Sequence, residues 1–453
     1  MTKVLVITGD PVGPRMAGPA IRSWNMAEVL TRAGHETALM TTTLLEPADA
    51  PFALHRVQPG EDAAFAALEA WADVIVFQGH AMAQFDALRK TDKVVVADIY
   101  DPMHLEMLEQ GRELGPATWN LRVSTATAVL NEQLALADFF LCASERQRLF
   151  YLGQLAALGR VNPAVYADDP HLARLIAVAP FGLSATPPVH AADVVKGVRE
   201  GIAKTDRLLI WGGGLYNWFD PLSLITAVSR LARRREDARL LFLGTRHPGV
   251  DEMGIVRESF DLARELGALD TSVFFNQSWV PYDERQSWLL EADAGVSTHM
   301  SHIETTFAFR TRILDYLWAG LPMVVTDGDS FAELVAAEGL GVVVPAQDVD
   351  ALESALERVL YDDAFAAEVR RNVQRVREQF VWERALAPLV DFVADPRRAA
   401  DHAAGRVDRS AGGKRRKPYG AAHNVRMFWH YLRAEGPGPV LGRVAARLFP
   451  RSR

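Results

Sequence analysis

The chain has 453 residues, 49% hydrophobic and 23% charged, with a formal net charge of −8. That is globular composition at a length suited to two domains. No apolar run reaches the ~18–20 residues of a membrane span, and the single cysteine, Cys142, excludes intrachain disulfides and cysteine-rich metal sites and fits a reducing cytoplasm. The charge is uneven. Residues 401–453 hold 12 Lys+Arg against 3 Asp+Glu, leaving 37 against 54 in the rest, so an acidic body carries a basic tail.

Residues 3–8 read as a strand buried on both faces, the mark of a parallel sheet. The chain starts directly on this strand, and no signal peptide is expected. A loop, Gly9-Asp10-Pro11-Val12-Gly13-Pro14-Arg15-Met16-Ala17-Gly18, leads to a helix over 20–33 and a strand over 37–42. The loop is not G-x-G-x-x-G, so no dinucleotide fingerprint is read. It lies at the carboxyl edge of a strand, where open α/β sheets hold ligands. Further strands are expected over 74–78, 94–99 and 139–142, with helix over 104–137 between the last two. Asp98 stands at the end of the 94–99 strand pattern and Asp101 just past it; Asp101 either caps the next helix or faces a ligand. His80 also follows a strand and reads as a loop residue, and Ser144-Glu145 as a helix cap. A strand over 175–180 closes this half.

Residues 184–206 are rich in Pro and Ala with weak periodicity and are read as a linker between domains 1–183 and 207–393. The second half opens on a strand at 208–211, then Gly212-Gly213-Gly214, then a helix over 221–234 with Pro221 in its first turn. Three glycines after a buried strand suit close approach to phosphate. Strands follow over 239–244, 273–276, 294–298, 323–326 and 341–344, with helices between. Alternation in both halves gives an α/β class of two doubly wound, Rossmann-like domains facing a cleft.

The stretch 299–329 carries the densest chemistry. Ile313, Leu314, Leu317 and Trp318 share a helical face, and Gly320 and Pro322 end that helix. Glu304, Arg310, Arg312 and Asp315 surround its entry. Arginines at a helix N-terminus suit an anion, and carboxylates beside them suit sugar hydroxyls. Residues 394–453 read as a basic tail. Its aromatic and aliphatic residues beside arginines suit an anionic lipid surface, with packing back on the body as the alternative and nucleic acid the least favoured partner.

Together these residues resemble glycosyltransferase family 4, a retaining group of nucleotide-sugar transferases of the GT-B class, over about residues 3–393. Asp315, Gly320, Pro322, Val324 and Val325 sit in the family's E-x-x-x-x-G-x-P-V-V pattern, and Arg312 matches a basic residue three positions before the acid. Residues 13–18 resemble the family's glycine loop, Gly34-His35-Glu36 its G-H-E turn and Pro180-Phe181-Gly182 its P-x-G. The resemblance implies a metal-independent hexosyltransferase-like enzyme with a nucleotide-diphosphate sugar as co-substrate and no resident cofactor. It implies that Asp315 holds ribose hydroxyls, that Arg310 and Arg312 lie near the diphosphate, and that Glu304 faces the donor sugar. Gly18, Gly213 and Gly214 would approach the phosphates. It also implies cell-surface polysaccharide or glycolipid synthesis. The basic, aromatic tail over 401–453, outside the resemblance, suits a lipid-linked acceptor and a cytoplasmic enzyme held peripherally at the membrane.

Three departures matter. No basic residue follows Gly214 before Pro221, where the family has an arginine and a lysine, so Arg310, Arg312 and Arg22 become the candidates for the diphosphate charge. The family's first glutamate falls on Phe307, with Glu304 three residues early. Its catalytic-region histidine is missing unless His80 or His104 substitutes, leaving Asp98, Asp101 and Arg312 as catalytic candidates. Asp327-Gly328-Asp329 imitates a metal-binding D-x-D and is read as a loop, with no metal. The rival readings are an epimerase or phosphorylase on the same scaffold, or a non-catalytic nucleotide-sugar binder.

Overall fold

The computed structural model describes residues 1–14, 16–245, 253–278, 280–281 and 284–405. The basic stretch 406–453, on which most of the tail expectation falls, lies outside them.

The first sheet contains β1 Lys3–Thr8, β2 Glu36–Thr41, β3 Ala53–Arg56, β4 Val74–Gln78, β5 Val94–Asp98, β6 Phe139–Cys142 and β7 Ile176–Val178, in the order β3-β2-β1-β4-β5-β6-β7. The second contains β8 Arg207–Trp211, β9 Ala238–Phe242, β10 Val273–Phe275, β11 Ala294–Ser297, β12 Met323–Thr326 and β13 Gly341–Val344, in the order β10-β9-β8-β11-β12-β13. Every strand pairing is parallel. Parallel strands need helical crossovers that cover both faces, so central strands become continuous apolar runs. β4 (Val-Ile-Val-Phe-Gln) and β6 (Phe-Phe-Leu-Cys) are buried at every residue. The order reverses between β1 and β4, and again between β8 and β11. Each reversal leaves a crevice at the carboxyl ends of the strands.

β3 and the helix Asp62–Trp71 are absent from the expected elements. β3 is a half-exposed edge strand, Ala-Leu-His-Arg, with no buried apolar run. The helix expected over 104–137 is two, Met103–Gln110 and Pro116–Leu136. They break at Gly111, where a Cβ would fall 2.2 Å from Cδ1 of Trp119.

Residues 184–206 are not a free linker. Glu291 accepts hydrogen bonds from the backbone of Val194, Val195 and Lys196 at 2.7, 2.8 and 2.6 Å, and Lys196 pairs with Asp293 at 2.7 Å. Val195 and Ile202 pack with Leu208, Leu241 and Phe274. The segment is a strap on the second half, built from backbone hydrogen bonds that have no sequence period.

Nor does the second half run unbroken to 393. Near residue 380 the chain returns to the first half. The Leu183 N–H donates to Phe380 O at 2.8 Å, Trp382 N–H donates to Leu183 O at 3.2 Å, and Phe392 stacks on Phe139 at 4.2 Å. Asp401, expected in the tail, is fully buried against Arg160 at 2.7 Å, and His402 Nδ1 meets Asp138 at 2.6 Å.

Candidate active site

The two crevices face each other across a cavity of about 1030 Å³. Its walls are the segments that leave strand ends: residues 9–18 after β1, 100–106 after β5, 181–184 after β7, 212–218 after β8 and 304–315 after β11. That volume is at the top of the range for one small-molecule site and leaves room for two reactants.

On the second half, Arg312 opens the helix Arg312–Ala319, whose first turn it shares with Asp315. Its guanidinium is 4.2 Å from the Trp211 ring centroid and 4.0 Å from that of Phe219. Nη2 donates to Gly214 O at 3.2 Å; Nη1 is buried with no hydrogen-bond partner. No carboxylate pairs with Arg312 among the described residues. Burial lowers its guanidinium to about 10, so it stays charged at neutral pH. An aromatic cage can hold a desolvated cation, and a buried donor without a partner is costly unless something fills the place. Gly213, at φ +86°, takes the backbone past it in a conformation that favours glycine.

Arg310 is placed differently. It donates from Nη1 and Nη2 to the two Glu304 oxygens at 2.9 and 2.8 Å, and Glu304 is only 1% exposed. Asp329 lies 3.8 Å from Arg310 Nε and 3.5 Å from His299 Nε2. Asp329 also caps the helix Ser330–Glu338 by accepting from Ala332 N–H at 2.8 Å, while Asp327 is exposed. The D-x-D sequence therefore splits into a surface residue and a buried cap.

Asp315 lines the cavity and accepts from Arg285 Nη1 at 2.9 Å. Beneath the glycine loop, the Tyr316 hydroxyl accepts from Gly212 N–H at 2.9 Å and has the carbonyls of Val296 and Ile210 at 2.8 and 3.1 Å. Burial pushes this hydroxyl up to about 12. Its ring occupies the space above Gly295, where a Cβ would fall 2.4 Å from Cγ.

On the first half, the helix Gly18–Arg32 points its N-terminus into the cavity, with no side-chain cap and no acidic residue in its first turn. Free N–H groups and the helix dipole favour an anion there. Asp101 does not cap the next helix, which has no side-chain cap at Pro102. It lines the cavity and accepts a hydrogen bond from Glu106. Burial pushes Asp101 up to about 6, opposed by that hydrogen bond and reinforced by the Glu304 charge. Burial, then the charges of Asp101 and Glu304, raise Glu106 well above its usual range.

Two sequence candidates need correction. Arg22 and Asp98 do not line the cavity. Arg22 Nε and Nη2 donate to Asp98 at 2.7 and 2.8 Å, the remaining donors reach the carbonyls of Pro180 and Ala179, and both side chains are fully buried. Tyr100 and Phe181, each 5.1 Å from the guanidinium, stand in front of it. The pair ties the first helix to β5 and β7 from behind the wall. His80 and His104 do not line the cavity. Glu106, Arg285 and Tyr316 were missed. Glu106 lies five residues beyond Asp101 and a local signal existed; Arg285 reaches Asp315 only through tertiary packing.

Gly18, Gly213, Gly214, Asp101, Glu304, Arg310, Arg312 and Asp315 thus all border one cavity. Residues 206–362 match the family model described as "Glycosyl transferases group 1". No curated protein matches the sequence. Among solved structures, the fold is similar to that of sucrose-phosphate synthase from Thermosynechococcus elongatus, at 18% identity and a TM-score of 0.67, over 87% of this chain and 98% of that one. It is similar to WaaG, a glycosyltransferase involved in lipopolysaccharide biosynthesis, at 17% identity and 0.57, over 86% and 100%. It is also similar to Anabaena Alr3699/HepE in complex with UDP-glucose, at 14% identity and 0.58, over 87% and 100%. The chain thus has the GT-B fold of these glycosyltransferase structures, and its residues 206–362 carry the match to the group 1 glycosyl transferases.

Proposed function

We propose that this protein transfers a glycosyl group from a nucleotide-diphosphate sugar to an acceptor hydroxyl, with retention of anomeric configuration and without a metal. The observation that carries the reading is Arg312, a caged cation whose buried Nη1 lacks a partner beside the 212–214 loop. A diphosphate there would meet Arg312, the loop's backbone and two helix N-termini. Asp315 would accept the ribose hydroxyls, steadied by Arg285. In the reaction the acceptor oxygen bonds to the anomeric carbon. The carbon–oxygen bond to diphosphate breaks with its electron pair left on phosphate, and that oxygen takes up the hydroxyl proton. Metal independence is supported by the split of Asp327 and Asp329, and retention by the resemblance of 299–329. The UDP-glucose complex of the similar HepE fold favours a uridine donor. WaaG's part in lipopolysaccharide biosynthesis supports a glycolipid or polysaccharide acceptor. The basic sequence of 406–453 suits a cytoplasmic enzyme held at an anionic membrane.

The test is a thermal-shift screen of nucleoside diphosphates, followed by calorimetry on Arg312→Ala. Binding of a diphosphate by the wild type and at least about 100-fold weaker binding by the variant are expected; a variant that binds equally well sinks the reading.

A further inference from the structure

The cavity is polarised. Its second-half wall presents Arg312 with a free buried donor, a feature that independently calls for an anionic ligand at that end. Besides the uncapped helix N-terminus at Gly18, which the donor diphosphate would take, its first-half wall presents four carboxyls, Asp10, Glu46, Asp101 and Glu106. Three described arginines that could answer these carboxyls are already held elsewhere. Arg310 is doubly bonded to Glu304, Arg285 is on Asp315, and Arg22 is sealed behind Tyr100 and Phe181 by Asp98. Glu304 itself faces Asp101 and Glu106 closely enough to act on both.

We propose that the first-half wall selects a neutral or amine-bearing sugar as acceptor, and that Asp101 and Glu106 together reject a phosphorylated one. This rests on the reading of the cavity as a cleft for donor and acceptor. Carboxyl oxygens accept hydrogen bonds from sugar hydroxyls, and more strongly from an ammonium. A phosphate ester brings two more negative charges and oxygens that only accept, to a wall that is already acidic. Burial strengthens that repulsion, because less water screens it. The two ends of the cavity then distinguish the two substrates by charge, which keeps a nucleotide diphosphate from entering backwards.

The test uses the full-length protein saturated with UDP and measures saturation-transfer NMR from glucose, glucosamine and glucose 6-phosphate. Glucose 6-phosphate is expected to bind at least 10-fold more weakly than the other two. In the double variant D101N/E106Q the gap should narrow to less than about 3-fold. Glucose 6-phosphate binding as tightly as glucose overturns the inference, as does transfer from none of the three sugars. So does a persisting 10-fold gap in a double variant that keeps its cooperative thermal transition. Failure of the wild type to bind UDP, with the sugar gap present, would strike the donor reading and leave the acceptor rule standing.

Discussion

Arg310 and Glu304 form a two-pronged, buried ion pair at 2.9 and 2.8 Å, while Arg312, two residues on, faces the same cavity with no carboxylate partner among the described residues. The same residue type therefore has two jobs within one turn. Removing Arg310 leaves Glu304 as an uncompensated buried charge, a loss of about 3–5 kcal/mol. Arg310→Ala should lower the urea midpoint strongly. Arg312→Ala should move it little and instead weaken diphosphate binding. Calorimetry and urea titration on both variants check the split.

Arg22 and Asp98 should behave as structure. Asp98→Ala would leave a buried guanidinium unpaired and cost about 3–5 kcal/mol. Its kcat, corrected for the folded fraction, should stay within a few-fold of wild type. A loss of 100-fold or more in a folded variant would restore Asp98 to the chemistry.

Asp101 makes a pH-dependent contribution whose sign is fixed. Its folded pKa is raised from 3.8 to about 6, so the native state binds more protons than the unfolded one between those values. Stability should therefore fall as pH rises from about 4 through 6 and stay low above that. Glu106, raised as well, acts in the same direction. Asp101→Asn should be more stable than wild type at pH 7, by up to about 3 kcal/mol, and gain nothing at pH 4. Thermal unfolding across that range reads it out.

Tyr316→Phe removes the hydroxyl that Gly212 N–H donates to. The lost hydrogen bond should cost about 1–3 kcal/mol and loosen the loop next to Arg312. Donor KM should rise several-fold, with kcat changed less. Gly295→Ala drives a Cβ into the same ring and should cost about 1–3 kcal/mol or more by overpacking. Steady-state kinetics and calorimetric unfolding of the two variants test the Tyr316 contacts with Gly212 and Gly295.

Metal independence predicts that excess chelator leaves turnover unchanged and that Asp327→Ala is silent. Asp329→Ala should lose about 1 kcal/mol or more with its helix cap. Chelator-dependent loss of turnover, restored by a divalent cation, would overturn this.

What was legible in the sequence follows from which forces have a period. β1, β4 and β12 are buried runs and could be placed, as could the helix end at Gly320, where φ is +73°. Arg312, Asp315, Gly213 and Gly214 could be placed at the cavity because each adjoins a strand end or helix start. Arg22 and Asp98 misled because sequence position alone cannot say whether a charge at a strand edge faces the cavity or its partner. Arg285 and the strap at 184–206 were hidden because their contacts run through space. β3 was hidden because an exposed edge strand needs no apolar pattern.

The return of the chain at Leu183 and Trp382 has a consequence for anyone recombining such enzymes. A cut after residue 183 does not free the first half: it strips Phe392 from Phe139 and leaves Arg160 without Asp401 and Asp138 without His402. A chimaera that exchanges acceptor specificity should carry 1–183 and 381–405 together, as one discontinuous cassette. The 184–206 strap should travel with the half it is fastened to.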